Sequence, residues 1–420
     1  MTFETGAFLL LIASVVAMLT RRLHLPYSAG LVAAGMGLAL LPFYHTIQLT
    51  KGLLFTVLLP PLIFEAAFHL DWNQLRRNLP VVLVLASVGV ALSAGVTAAG
   101  MYYLAHWGWL SCAVFGILIA ATDPVSVIAT FRETGARGRL LVLVESEALF
   151  NDGTAAVAFG VAITFATGHP PTALQTLARL GASVVGGLAC GAVVACLALL
   201  LVGRTEDHLV EISVTTVAAW GSFLLAEHLQ LSGVLATLAA GLLMANYRSL
   251  GEISPRGKGA VEDFWEYAAF IANSLVFLLI GMRSAQVDVR AVWVSAVAAI
   301  LLVTLGRAAA IYPCCLLFAG SGLRVSARHQ LVLFWGGLRG ALALALALGL
   351  PPEIPLREQI VTISFAVVAG VARRAARSRP ARIVVRHCSA IGEGRAGGKG
   401  GYGCVPGAVP TTSGTWRVEW

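Results

Sequence analysis

Charge is what this sequence has least of. Only 12% of its 420 residues are Asp, Glu, Lys or Arg, while 58% are hydrophobic and the mean hydropathy is +0.83. A soluble domain carries about a quarter charged residues. A water-facing surface cannot be built from so few, and a polytopic membrane protein is expected. The net charge of +8 does not restore a nucleic-acid reading: nine Lys and Arg fall in residues 371–420 against two acids, leaving 20 basic and 19 acidic residues elsewhere and no basic face. Cysteine has no framework spacing. Seven are scattered, with Cys190, Cys196, Cys314 and Cys315 inside apolar runs, as small buried hydrophobes would be. No basic region precedes the first apolar run, which follows Glu4, so no cleavable leader is expected. Gly398-Lys399-Gly400 lacks the Ser/Thr and the strand of a phosphate loop.

What is present is a series of apolar runs. A span needs about 20 apolar residues, and thirteen are predicted near 6–20, 27–43, 52–70, 79–104, 110–131, 140–167, 176–203, 209–226, 231–247, 263–282, 291–320, 328–350 and 358–370. The loops between them test that order. Odd-numbered loops carry thirteen Lys and Arg, among them Arg76, Arg77, Arg139, Arg324 and Arg328, whereas even-numbered loops carry five. By the positive-inside rule the odd loops are cytoplasmic and the N-terminus is outside.

Six ionisable residues lie inside the spans: Glu65, Asp123, Glu147, Asp152, Arg307 and Arg339. At about 3 kcal/mol each at a helix centre, six unpaired charges would cost about 18 kcal/mol. Four acids cannot all be neutralised by two bases, so structural ion pairs do not account for the set. Asp123, Asp152, Arg307 and Arg339 sit at the middle of their spans, and Glu65 lies about 6 Å beyond the middle of its own. Two spans are also interrupted at that depth, by Pro124 after Ala120-Ala121-Thr122-Asp123 and by Gly336-Gly337-Leu338-Arg339-Gly340. A pair of broken helices, one in each half of the chain, is the pattern of inverted repeats that cross at a midplane transport site. Broken ends there would leave carbonyls such as that of Thr122 free for a cation. On the helix from Leu140, Asp152 shares a face with Glu145 and Ala148, while Glu147 shares one with Asn151. Asp152 can then face the site, where a carboxylate can hold either a proton or a small cation, and Glu147 can turn to an arginine.

Pro60-Pro61-Leu62-Ile63-Phe64-Glu65-Ala66-Ala67, Thr122-Asp123-Pro124-Val125, Glu147 with Asn151-Asp152-Gly153, and Trp335-Gly336-Gly337-Leu338-Arg339-Gly340-Ala341 together resemble the monovalent cation:proton antiporters, the sodium/proton exchangers of bacterial NhaP-like type. The resemblance covers about residues 6–368. It implies an all-α fold of thirteen helices with a dimerisation domain and a core transport domain, a homodimer in the plasma membrane, and exchange of Na+ or Li+ for H+ in the service of pH homeostasis. It implies no cofactor beyond the transported ions, and no catalytic residue. Asp152 would bind cation and proton, and Asn151 would mark the electroneutral class. Thr122 and Asp123 would form the unwound crossover, with Thr122 and Glu65 as further Na+ ligands. Glu147 would pair with Arg307, or failing that with Arg339.

Two departures accompany the resemblance. Ala148 stands where relatives commonly place a serine one turn before the aspartate, and Ser146 lies about 120° off that face. After Ser364-Phe365-Ala366-Val367-Val368 the apolar pattern stops near Ala369–Gly370 and gives way to Arg373, Arg374, Arg377 and a Gly-rich stretch. Residues 1–370 are therefore expected to form the transmembrane domain, and 371–420 a basic tail, disordered or frameshifted, with a natural cytoplasmic tail as the alternative and an inactive product as one consequence. Other readings stay open. A K+/H+ antiporter differs only in its cation. An intramembrane aspartyl protease could be imagined on Asp123 and Asp152, but gives no reason for Asn151 or for the second break; a channel would need a continuous polar path. His208 and His228 read as interfacial, and Glu262, Asp263 and Glu266 as the acidic opening of a helix, with pH sensing as their alternative role.

Overall fold

The computed structural model describes residues 3–23, 27–40, 50, 52–123, 128, 138–166, 172–247, 253–286, 289–337 and 339–377. Pro124, Leu338 and the basic tail from 378 lie outside these. The helices are α1 (Phe3–Leu23), α2 (Tyr27–Leu38), α3 (Leu59–Phe68), α4 (Trp72–Val84), α5 (Val90–Ala105), α6 (Trp109–Leu118), α7 (Arg139–Ala166) and α8 (Ala173–Val202). They continue with α9 (His208–His228), α10 (Gly233–Asn246), α11 (Pro255–Gln286), α12 (Val289–Leu316), α13 (Ala327–Gly336), α14 (Ala341–Leu348) and α15 (Arg357–Arg377). A π-helical stretch at Leu53–Leu58 leads into α3, and another at Leu85–Gly89 joins α4 to α5.

Several starts are set by capping side chains. Asp71 accepts from the N–H groups of Asn73 and Gln74 to open α4, Thr172 and Gln175 form a reciprocal capping box on α8, and Asp207, Ser232 and Ser326 cap α9, α10 and α13. Outside the membrane, the Gln74 side-chain bond foremost, then the backbone bonds of Asn73 and Gln74, hold the Asp71 carboxyl below its ordinary value.

Apolar side chains cover the outer surface as well as the core, and a few charges are buried. Val217, Leu316 and Leu197 are more than half exposed on the outer surface, while Glu147, Arg307 and Arg339 are buried. Six stretches are long and apolar enough to cross a bilayer: Trp72–Ala105, Arg139–Ala166, Leu174–Val202, His208–His228, Gly257–Ala285 and Trp293–Leu316. The protein is an all-helical integral membrane protein. Lipid offers no hydrophobic drive between helices, so close backbone approach at small residues does the packing. Where α2 meets α11, a Cβ on Gly35 would lie 3.0 Å from the Cα of Gly281, and one on Gly281 equally 3.0 Å from the Cα of Gly35.

Two packing groups surround the site. In one, α5 lies along α12 and α6, and α7 packs on α4 and α6; in the other, α10 lies between α8, α3 and α9, with α2 against α11. Arg139, opening α7, donates from Nε to Asn78 Oδ1 (2.7 Å), from Nη1 to Arg324 O (2.9 Å) and from Nη2 to Leu323 O (2.6 Å), gathering three odd-numbered loops. On the even-numbered side Ser111 Oγ donates to Pro355 O at 2.8 Å.

Some boundaries differ from the sequence expectation. The span drawn through 110–131 is helical only to Leu118 before it unwinds. Helix α11 begins at Pro255, a favoured first helical residue, which places Glu262, Asp263 and Glu266 well inside it instead of at its opening. Glu262 there pairs with Lys258 one turn before it, at 3.9 Å. Helix α15 runs past Gly370 to Arg377, because Ala and Arg are good helix formers even where the apolar pattern has ended.

Candidate functional site

The last four carbonyls of any α-helix lack intrahelical partners and carry the negative end of its dipole. At a break inside the membrane no water stands ready to satisfy them. Among the described residues α6 and α13 have such ends, and an arginine reaches each. Arg339, in the break between α13 and α14, donates from Nη1 to Ala120 O (2.8 Å) and Ala121 O (3.2 Å) in the unwound stretch after α6. Arg307, on α12, donates from Nη2 to Leu333 O (2.8 Å) at the end of α13.

Arg307 also holds Glu147 in a bidentate pair, Nη1 to Oε1 at 2.8 Å and Nη2 to Oε2 at 2.9 Å. Asn151, one turn along α7, sends Nδ2 toward Thr122 Oγ1 (3.1 Å), Glu147 Oε1 (3.2 Å) and Ala120 O (3.4 Å). An amide nitrogen has two hydrogens, so these three acceptors share them. The net effect is that α7, the α6 break and α12 are fastened by one buried polar network.

Asp152 stands beside that network and is not consumed by it. The Thr122 N–H donates to its carboxylate, and the charges of Asp123, Glu147 and Arg339 bear on it. Its Oδ1 is buried and meets no donor among the described residues; Asn151 Oδ1 and Ser146 Oγ are likewise buried without partners. Asp123 lies against Gly340, where a Cβ would collide with its side chain, and a Cβ on Gly337 would collide with the Arg307 guanidinium. The glycines of the second break are thus the room into which the charges fit. Ala148 is buried and brings no hydroxyl to the site.

The structure therefore gathers Thr122, Asp123, Glu147, Asn151, Asp152, Arg307 and Arg339. Glu65 lies near the end of α3 with its Oε1 3.4 Å from Nδ1 of His69, a neighbour at i,i+4 that the sequence expectation did not include. Arg339 goes to backbone carbonyls and not to Glu147. It occupies two of the carbonyls at the break that were expected to be open to a cation. Among the described residues no three His, Cys, Asp or Glu side chains come close enough to hold a metal ion.

A membrane-embedded helical bundle whose two interrupted helices meet over buried charges has the architecture in which carriers bind ions near the bilayer midplane. The family model described as sodium/hydrogen exchanger, transmembrane, matches residues 9–372. The chain belongs to the sodium/hydrogen exchanger family. It is 37% identical over 354 residues to the Na(+)/H(+) antiporter ApNhaP of Aphanothece halophytica, covering 82% of this chain and 66% of that one. It is 35% identical over 380 residues to the Na(+)/H(+) antiporter NhaG of Bacillus atrophaeus, covering 87% and 71%. The chain thus spans just under two thirds of the length of the first of these. The fold is similar to the solved structure of the sodium proton antiporter MjNhaP1 from Methanocaldococcus jannaschii at pH 8, with a TM-score of 0.67 and 18% identity over 92% of this chain and 96% of that one.

Proposed function

We propose that this protein is a secondary antiporter of the plasma membrane that exchanges Na+ or Li+ for H+, with cation and proton taking turns at Asp152. The observation that carries the reading is the Asp152 carboxylate: one oxygen receives the Thr122 N–H, while Oδ1 is buried without a donor beside an unwound backbone. A buried carboxylate left half-satisfied is costly unless something binds it. A proton and a sodium ion are the two smallest ligands that neutralise it. Glu147 is already neutralised by Arg307, and Asn151 carries no charge, so Asp152 is the one of these three α7 residues left to titrate. One proton for one cation is the electroneutral stoichiometry. The names of the relatives support Na+ as the cation.

Asp152 and Thr122 would supply ligands to Na+, with Glu65 as a further ligand or near-ligand. Alternating access would then move the α5, α6, α7, α12 and α13–α14 group past the rest, within a homodimer, with odd-numbered loops in the cytoplasm and the N-terminus outside. A second reading, K+/H+ exchange, is favoured by Ala148, which leaves the shell one hydroxyl short of what a small cation needs. Cation-induced proton release from everted vesicles, with Na+, Li+ and K+ added separately, tests both. Release by Na+ or Li+ that vanishes in Asp152→Asn supports the first; release by K+ alone supports the second; release by all three in that variant contradicts both.

A further inference from the structure

Arg339 spends one nitrogen and holds two in reserve. Its Nη1 serves Ala120 O and Ala121 O, while Nε and Nη2 are buried with no acceptor among the described residues. Idle buried guanidinium donors are costly and uncommon. Arg307 also leaves Nε without a partner among the described residues, but both of its terminal nitrogens are filled by Glu147 and Leu333. Asp152, whose Oδ1 is an unpaired acceptor, carries a charge that bears on Arg339. Two kinds of oxygen would coordinate a small cation here, backbone carbonyls of the α6 break and the Asp152 carboxylate. Arg339 sits on the first and within the field of the second.

We propose that Arg339 is a resident surrogate cation: in the empty carrier its guanidinium neutralises Asp152 and holds the Ala120 and Ala121 carbonyls, and an incoming cation must displace it. This rests on the antiport reading at Asp152. A guanidinium stays charged at every working pH, so the competitor is always present. Loading the site is thereby coupled to the second interrupted helix, because the side chain that yields belongs to the α13–α14 break. Arg339 is on this account a positioning residue that sets cation affinity, and not a ligand.

The test is the half-saturating Na+ concentration for exchange at a pH alkaline enough that it no longer varies with pH, measured in proteoliposomes of the full chain for the parent, Arg339→Gln and Arg339→Lys, with thermal melting of each to verify folding. Removing a competitor should tighten binding. Arg339→Gln is expected to lower half-saturation by about tenfold or more, since removing a neighbouring positive charge at an effective dielectric near 20 strengthens cation binding at the carboxylate, while the maximal rate falls. Arg339→Lys, which keeps the charge but not the fork, should fall between. A purely structural role moves the other way, loosening the carbonyls and weakening Na+. Unchanged or raised half-saturation in either variant that melts cooperatively overturns the proposal, and the lysine variant decides if the glutamine one does not fold. Exchange that persists in Asp152→Asn overturns the antiport reading itself, and this proposal with it.

Discussion

Arg307 lays both terminal nitrogens on the two carboxylate oxygens of Glu147, at 2.8 and 2.9 Å, and with one of them also reaches the Leu333 carbonyl at 2.8 Å. One guanidinium thus ties α7 to α12 and closes the carboxyl end of α13. Pairing of this kind removes two charges from the account of transport and makes them part of the scaffold.

Breaking that pair on one side should be more harmful than its contact area suggests. Glu147→Ala leaves a buried guanidinium without its carboxylate and is expected to cost about 3–5 kcal/mol. Thermal melting and the yield of monodisperse protein check it. The paired change Glu147→Met with Arg307→Met should recover only part of the loss, since Leu333 O then has no donor.

The glycines of the second break should not tolerate a methyl group. Gly340→Ala forces Asp123 aside and Gly337→Ala forces Arg307 aside, each costing about 1–3 kcal/mol by overpacking. Gly95→Ala in α5 and Gly181→Ala in α8 are the controls. Nothing lies within 4 Å of either added Cβ, so both should be neutral or stabilising by about 0.5–1 kcal/mol. Melting temperatures of the four variants should sort into these two pairs.

At the α4 cap the effect depends on pH. The Asp71 carboxyl is held below its ordinary value, first by the Gln74 side chain. A carboxyl depressed in the folded state stabilises above its unfolded value, and the gain is lost as pH falls through the folded one. Asp71→Ala is therefore expected to cost about 1 kcal/mol near neutrality, with the difference from the parent shrinking below the ordinary carboxylate value of 3.8. Melting curves of both proteins at neutral and acid pH measure it.

Much of the site could be read from the residues because charge inside a membrane is so expensive. Asp123, Asp152, Arg307 and Arg339 stood out by depth, and Glu147 by lying inside a span, and the structure gathers them. What could not be read depends on where the backbone goes after it leaves a helix. Pro124 signalled an interruption, but not that unwinding begins at Ile119 or that the freed carbonyls face Arg339. Glu65 was grouped by depth, and its local approach to His69 was not part of that expectation. The first turns of α11 escaped because Arg256, Lys258 and Glu262 make them too polar for a search keyed to apolar runs.

The central claim is that one carboxylate serves two ions in turn. It is tested most directly by the half-saturating Na+ concentration for exchange in proteoliposomes, measured against pH for the parent and for Asp152→Asn. Competition at a single site predicts that, on the acid side, half-saturation rises about tenfold for each unit the pH falls, the slope of one proton displaced per cation. The maximal rate should stay constant, and the variant should be silent. Half-saturation independent of pH, or a variant that still exchanges, would contradict the account.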